Sequence, residues 1–196
     1  EAGTSALAYD GQFFFDTDHN ESGSNQTNDL TTTEVPSSNV TLAAPTSTEM
    51  ANVITETVGH MATLTDDKGE PINQASTNVL ILCTKAIHLA PLRSAIGLNN
   101  LSTGSDNNPV RALSGFTFEV QLVTRITAAD KLYFFFGNPG MGSTPLIRQS
   151  ELGVQTTMLG AGSDEEFKND QHIFGVNATR GVGYGMWQKA ALGTLT

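Results

Sequence analysis

The stretch "NVLILC", Asn78 to Cys83, decides how the rest of this chain is read. Its apolar run is too short for an ordinary helix and shows no polar/apolar alternation, so it predicts a strand buried on both faces at a central place in a sheet. The flanking segments carry a different period. Upstream, "TSTEMANVITETVGHMATLTDDKGEP" places Thr46 and Glu49 at capping-box spacing and sets Met50, Val53, Ile54, Val58, Met61 and Leu64 on one helical face. This predicts an amphipathic helix over residues 48–64, ended by Asp66, Asp67, Gly69 and Pro71. Downstream, "KAIHLAPLRSAIG" is helix-like as far as Gly97, and Pro91, which has no amide donor, predicts a break or a restart near Ala90.

Further along, "LNNLSTGSDNNP" reads as an exposed loop, after which the period falls to two. "GFTFEVQLVTRI" alternates Phe116, Phe118, Val120 and Leu122 on one face, and "KLYFFFG" is another short apolar strand. From Pro145 onward, "PLIRQ", "VQTTML", "HIFGVNAT" and "GYGMWQKAA" read as short strands between Gly, Asn and Asp breaks. Residues 20–48 are nearly all small and polar, with too few large apolar side chains to offset the entropy of ordering them, and are expected to form a long loop or partly disordered arm. The order is helix, strand, helix, then several strands, which is an α+β chain with segregated elements.

The 196 residues suffice to bury a core without disulfides, and the single cysteine, Cys83, lies in the apolar run, where it reads as a small buried hydrophobe. One cysteine fits a reducing compartment such as the cytoplasm. No apolar run approaches the ~20 residues of a membrane-spanning helix, and "EAGTSALAYDG" lacks the basic and apolar regions of a secretory leader. A net charge of -10 with ten scattered Lys and Arg residues argues against tight or sequence-reading nucleic-acid binding.

Three clusters were weighed for chemistry. "DTDHN", Asp16 to Asn20, opens like a calcium loop, but Glu21 stands where the turn glycine belongs and Thr27 where a closing glutamate belongs. The remaining histidines, His60, His88 and His172, are isolated. "GNPGMGST", Gly137 to Thr144, has the glycine spacing of a phosphate-binding loop without its lysine, and Pro145 with "LIRQ" follows as a strand where a helix N-terminus is needed. Paired acids at Asp66 and Asp67 and at Asp164, Glu165 and Glu166 read as solvated turns. No nucleophile elbow or zinc motif is present, and no catalytic, cofactor-binding or metal-binding residue is assigned.

Two blocks resemble a known family. "YDGQFFFDTDHN" (residues 9–20), with the helix ending "DDKGEPI", the strand "NVLILCT" and the ending "EEFKNDQHIFGVNATRGVGYGMWQKAA", is similar to the major head subunit of Mu-like phages and prophages, the gpT family. The resemblance covers most of the chain outside residues 20–48. It implies a Hong Kong 97-like capsid fold, here an axial domain plus part of the peripheral domain. The corresponding pieces are residues 48–64, 78–83, 85–96, 116–125 and 155–190. Family members carry roughly a hundred residues ahead of the "YDGQ" block, holding the N-terminal arm, extended loop and spine helix, so this sequence looks like a C-terminal portion.

The expected division is 1–47 for an N-terminal strand and turn block with its polar loop, 48–150 for an axial-domain-like region, and 151–196 for strands returning to the peripheral domain. The resemblance implies a structural subunit, not an enzyme and without cofactor, whose hexamers and pentamers build an icosahedral head in the host cytoplasm and in the virion. Scaffold, portal or decoration proteins are the further partners it implies, and packaged DNA is met only non-specifically. Tyr9, Phe13, Phe14, Phe15, Tyr184 and Trp187 are the candidate contact residues, and loss of the spine helix is expected to leave apolar surface uncovered at Phe13 to Phe15. The alternatives are a nucleotide-binding enzyme using residues 137–144 and a metal-binding or surface-interaction module using Asp16, Asp18 and His19.

Overall fold

In the computed structural model, which describes residues 5–21, 23–101, 107–127, 130–137 and 144–196, the chain opens with three short strands. β1 (His19–Glu21) and β2 (Ser24–Gln26) pair antiparallel, and β3 (Asp29–Leu30) joins the main sheet. α1 (Ser47–Thr63) follows, then β4 (Asn78–Cys83), α2 (Ala86–Gly97), α3 (Pro109–Ala112), β5 (Thr117–Leu122) and β6 (Lys131–Gly137). β7 (Leu146–Leu159), α4 (Asp164–Asn169), β8 (Ile173–Tyr184), a 3-10 turn at Trp187–Lys189 and β9 (Ala190–Thr194) complete it.

The predicted capping box forms as read. Glu49 N–H donates to the Thr46 hydroxyl at 3.2 Å, while the Glu49 carboxylate accepts from Thr46 N–H at 2.7 Å, closing the open end of α1 in both directions. Met50, Val53, Ile54, Val58 and Met61 are all buried. Residues 20–48 correct the expectation of a loose arm. Of their few large apolar side chains Leu30, Val35 and Val40 are buried and Leu42 is exposed, and several of their polar groups bond to the acids of α1. Ser37 donates from backbone and hydroxyl to Glu56 at 2.8 and 2.7 Å, and Thr41 does the same to Glu49 at 3.1 and 2.9 Å. Hydrogen bonds to helix carboxylates order a segment that apolar burial alone would leave free.

The main sheet has the order β3-β9-β6-β4-β5 and is mixed. β4 runs antiparallel to β6 and parallel to β5, with α2 and α3 in the crossover, and β3 runs parallel to β9. α1 packs on α2, α3 and β9, and α2 on β4 and β5. β4 is interior as predicted but fully buried on one face only. Val79, Ile81 and Cys83 are closed off with their register partners Phe136, Phe134 and Leu132, whereas Leu80 and Leu82 are half-buried because their β5 neighbours are the exposed Glu119 and Gln121. α2 is unbroken at Pro91, correcting the predicted restart. The amide that proline lacks would have bonded the carbonyl of Ile87, which lies on the exposed side of the helix, open to solvent.

Residues Glu1–Pro145 with Tyr184–Thr196 form one compact unit and Leu146–Gly183 a second. These limits differ from those of the three-part division above, because β3 from the front and β9 from the end of the chain share one sheet. In the second unit the short strands read from sequence merge into two long ones. Gly175, early in β8, lies against Thr157, late in β7, and Gly185 N–H donates to the carbonyl of Pro145 at 2.8 Å, so the pair is an antiparallel ribbon. Asp164, Glu165 and Glu166, read as a turn, are the first turn of α4, where they complement the helix dipole behind the Ser163 N-cap.

Candidate functional site

Parts of the two blocks that carried the resemblance meet side by side although remote in sequence, Tyr9 and Gln188 being 179 residues apart. Asn28, which neither block contains, joins them. Its Nδ2 donates to the carbonyls of Phe14 at 2.8 Å and Trp187 at 3.1 Å, so its Oδ1 must accept, from Asp16 N–H at 3.0 Å and from the ring of His19 at 3.2 Å. Carbonyls only accept, and this fixes the orientation of the amide. The His19 Nε2 facing Oδ1 is therefore a donor, and its Nδ1 lies 2.6 Å from Asp10 Oδ2. Both ring nitrogens thus face an oxygen of a fixed partner, which holds the imidazole in one orientation. The ring stacks on the indole of Trp187 with centroids 3.9 Å apart and planes 4° from parallel.

A second polar group lies beside it. Tyr9 donates its hydroxyl to Glu21, and Gln188 Nε2 donates to Tyr9 Oη at 2.8 Å and to Glu21 Oε1 at 3.0 Å. Partial burial, then the hydrogen bond to Glu21, pushes the Tyr9 hydroxyl up to about 12. The apolar half of the seam is aromatic. Phe14 stacks on Tyr184 at 4.4 Å, and Phe15 tilts against Tyr133 of β6 at 5.6 Å. Phe14, Phe15 and Trp187 are thus enclosed within the chain, correcting the expectation that Phe13 to Phe15 stand uncovered. Phe13, at 42% exposed, presents apolar surface there together with Tyr9 and with Leu7, its partner in an isolated antiparallel bridge.

The third group is Lys189, 2% exposed, whose Nζ donates to Ser76 Oγ at 3.2 Å, Asn73 Oδ1 at 3.3 Å and the Ile72 carbonyl at 3.5 Å. All three acceptors are neutral, and desolvation lowers the ammonium from its ordinary 10.5. The unfolded chain therefore binds this proton more tightly than the folded one. Stability rises with pH through the window between the lowered folded value and 10.5. Urea denaturation across that window, kept below the ordinary tyrosine range, is expected to show an alkaline gain in wild type that Lys189→Met lacks. Equal slopes in the two proteins would assign the gain to another group.

Elsewhere, Lys85 donates to both oxygens of Asp130 at 2.7 Å and His88 Nε2 approaches Asp130 Oδ1 at 3.2 Å. The Lys85 hydrogen bonds hold the Asp130 carboxyl below its usual range, against a smaller effect of desolvation, and pin the start of β6 to that of α2. His60 Nε2 lies 2.9 Å from the carbonyl of Thr27 and ties α1 to the N-terminal segment. Cys83 is buried, its thiol pushed up by desolvation, and donates weakly to the Gln121 carbonyl at 3.6 Å.

The sequence-read cluster is dispersed in role. The Asp16 carboxylate accepts from the amides of Phe13 and Thr17, Asp18 is exposed, and His19 is in the seam. No group of three or more His, Cys, Asp or Glu able to hold a metal occurs among the described residues. Most of the glycine-rich stretch 137–144 lies outside the described residues. The residues that sequence reasoning missed are Asn28, Gln188 and Asn73, polar side chains in unremarkable contexts. No periodicity could have singled them out, since each acts through partners remote in sequence.

No protein-family profile matches the sequence, and no curated protein matches it. Among solved structures, a chain of the procapsid of bacteriophage JBD30 is similar, with a TM-score of 0.35 and 18% sequence identity, over 98% of this chain and 36% of that one. This chain spans about a third of the length of that one, by the 36% covered. No helix among the described residues is long and apolar enough to cross a membrane.

Proposed function

We propose that this chain is a structural head subunit of the Mu-like tailed-phage type, with a Hong Kong 97-like capsid fold, whose copies assemble into a closed shell around DNA. Function then resides in geometry and in repeated interfaces. The observation that carries the reading is the ribbon of β7 and β8. Its strands expose Leu146, Val154, Met158, Phe174 and Val176, while the isolated two-stranded form is marginal in water by itself. A chain that presents so much apolar surface on an extended element is built to be completed by other chains. Parts of the motif blocks support it too, because Asp10, Phe14, Phe15, His19, Tyr184 and Trp187 are spent on holding the seam closed.

Electron microscopy of the full-length gene product, expressed alone and with the neighbouring genes, tests the proposal. Closed shells, hexamers or pentamers are expected. A persistent monomer with measurable turnover of any substrate would overturn it. Scaffold, portal and decoration partners belong to the same proposal and are read from what co-purifies with the shells.

A further inference from the structure

The ribbon has two unlike faces. Strand alternation and the approach of Gly175 to Thr157 put the even-numbered residues of both strands on one side and the odd-numbered on the other. The odd side is glycine and polar along its middle, with Gln149, Glu151, Gln155, Asn177 and Thr179, and has exposed apolar side chains only towards its ends, at Ile147, Leu159 and Ile173. The even side is mainly apolar, with Leu146, Val154, Met158, Phe174, Val176 and Val182 around Arg148, Ser150, Thr156 and Arg180, and with Phe174 and Val176 at 72% exposure and Val182 at 86%. It is half of a two-layer sandwich with the second layer unfilled.

Charge along the same element is polarised. Arg148 and Arg180, both on the even side, lie towards the open end of the ribbon. The far end carries Asp164, Glu165, Glu166 and Asp170 against Lys168, which pairs with Asp164 at 2.6 Å. A 14-residue strand is about 45 Å long, and a two-stranded face with its side chains is about 15 Å wide, giving about 700 Å². That is close to the roughly 800 Å² per partner of a standard stable interface.

We propose that the even face of the ribbon is a self-complementary docking surface for the same face of a second copy, the two ribbons stacking antiparallel about a two-fold axis. In that arrangement the acidic tip of each copy lies over the arginines at the open end of the other, twice over by symmetry. The parallel alternative brings arginines onto arginines and acids onto acids, and is disfavoured by the same charges. This inference rests on the reading of the chain as a self-assembling subunit and names one of the contacts by which it assembles.

Sedimentation velocity of the full 196-residue chain tests it. A concentration-dependent dimer is expected, which Val176→Glu reduces to monomer. Arg148→Glu with Arg180→Glu is expected to weaken association about tenfold or more, and adding Glu165→Lys with Glu166→Lys to that chain to restore most of the loss. Val176, Arg148 and Arg180 are exposed and Glu165 and Glu166 half-buried on α4, and circular dichroism with Trp187 fluorescence checks that the ribbon and the main sheet are unchanged in every variant. A wild-type chain that stays monomeric, a dimer indifferent to Val176→Glu, or a charge reversal that is not rescued would each overturn the clasp. A ribbon that instead captures a different protein while the chain stays monomeric counts against it as well. Shell formation is scored separately by microscopy. Shells that survive Val176→Glu sink the clasp and spare the proposed function, whereas dimers without shells do the reverse.

Discussion

Replacing Asn28 with alanine is expected to lower the unfolding free energy by about 4 kcal/mol, since a buried hydrogen-bonding group left without its partner costs about 1–3 kcal/mol. The side chain is fully buried and serves four groups at once: the carbonyls of Phe14 and Trp187, the amide of Asp16 and the ring of His19. Alanine leaves all four unpaired, and partial entry of water keeps the total below their simple sum. Asn28→Asp separates the contributions. It preserves the acceptor towards Asp16 and His19 but sets a carboxylate oxygen against two carbonyls, so at neutral pH it is expected to be no more stable than the alanine variant, and to recover as acid protonates the new group. Urea denaturation gives the answer, and an Asn28→Asp protein as stable as wild type at neutral pH would contradict the donor role of Nδ2.

Trp187→Ala is expected to cost about 3–5 kcal/mol, the range for truncating a buried aromatic side chain. Trp187 is fully buried, and its removal takes away the surface on which His19 stacks, so two segments are loosened together: the N-terminal block and the start of β9. A double-mutant cycle pairing Trp187→Leu with His19→Gln is expected to show a coupling of about 1 kcal/mol in the stabilising direction, from the parallel stack of the two rings. Additive effects would reduce the stack to simple burial. Both variants are also expected to expose residues 7–30 to hydrogen exchange before the strands β4 and β6, because the seam holds that segment while the interior strands are held by their own ladders.

These effects bear on the proposed function through rigidity. A shell built from many copies repeats every error in a subunit's shape at each contact, and the seam fixes the N-terminal segment to the C-terminal strand of the same sheet. The ribbon is the opposite case: its charged and apolar pattern is spent outward. The chain thus joins a unit whose seam closes on itself to a ribbon with an exposed apolar face, the division of labour that the proposed assembly by repeated copies would use.

The sequence by itself determined the elements whose signals are local. The capping box and 3.6-residue period fixed α1 to within a residue or so, the apolar runs fixed β4 and β6, and the alternation from Phe116 to Leu122 fixed β5, because in each case side chains near in sequence set both the conformation and the buried face. The aromatic block at Tyr9 to Phe15 was also legible as something specific, though not what it packs against. Tertiary structure decided the rest. Residues 20–48 are ordered by carboxylates on α1, Pro91 is tolerated because its unmatched carbonyl is on the wet side of α2, and Phe14 and Phe15 are covered by Tyr184 and Tyr133 from remote strands. Asn28 became the centre of the seam only when the fold placed the Phe14 and Trp187 carbonyls on either side of it. Periodicity reports which side of an element is apolar. It carries no information about a partner more than a hundred residues away, and that is where the hydrogen bonds and stacks of this seam are made.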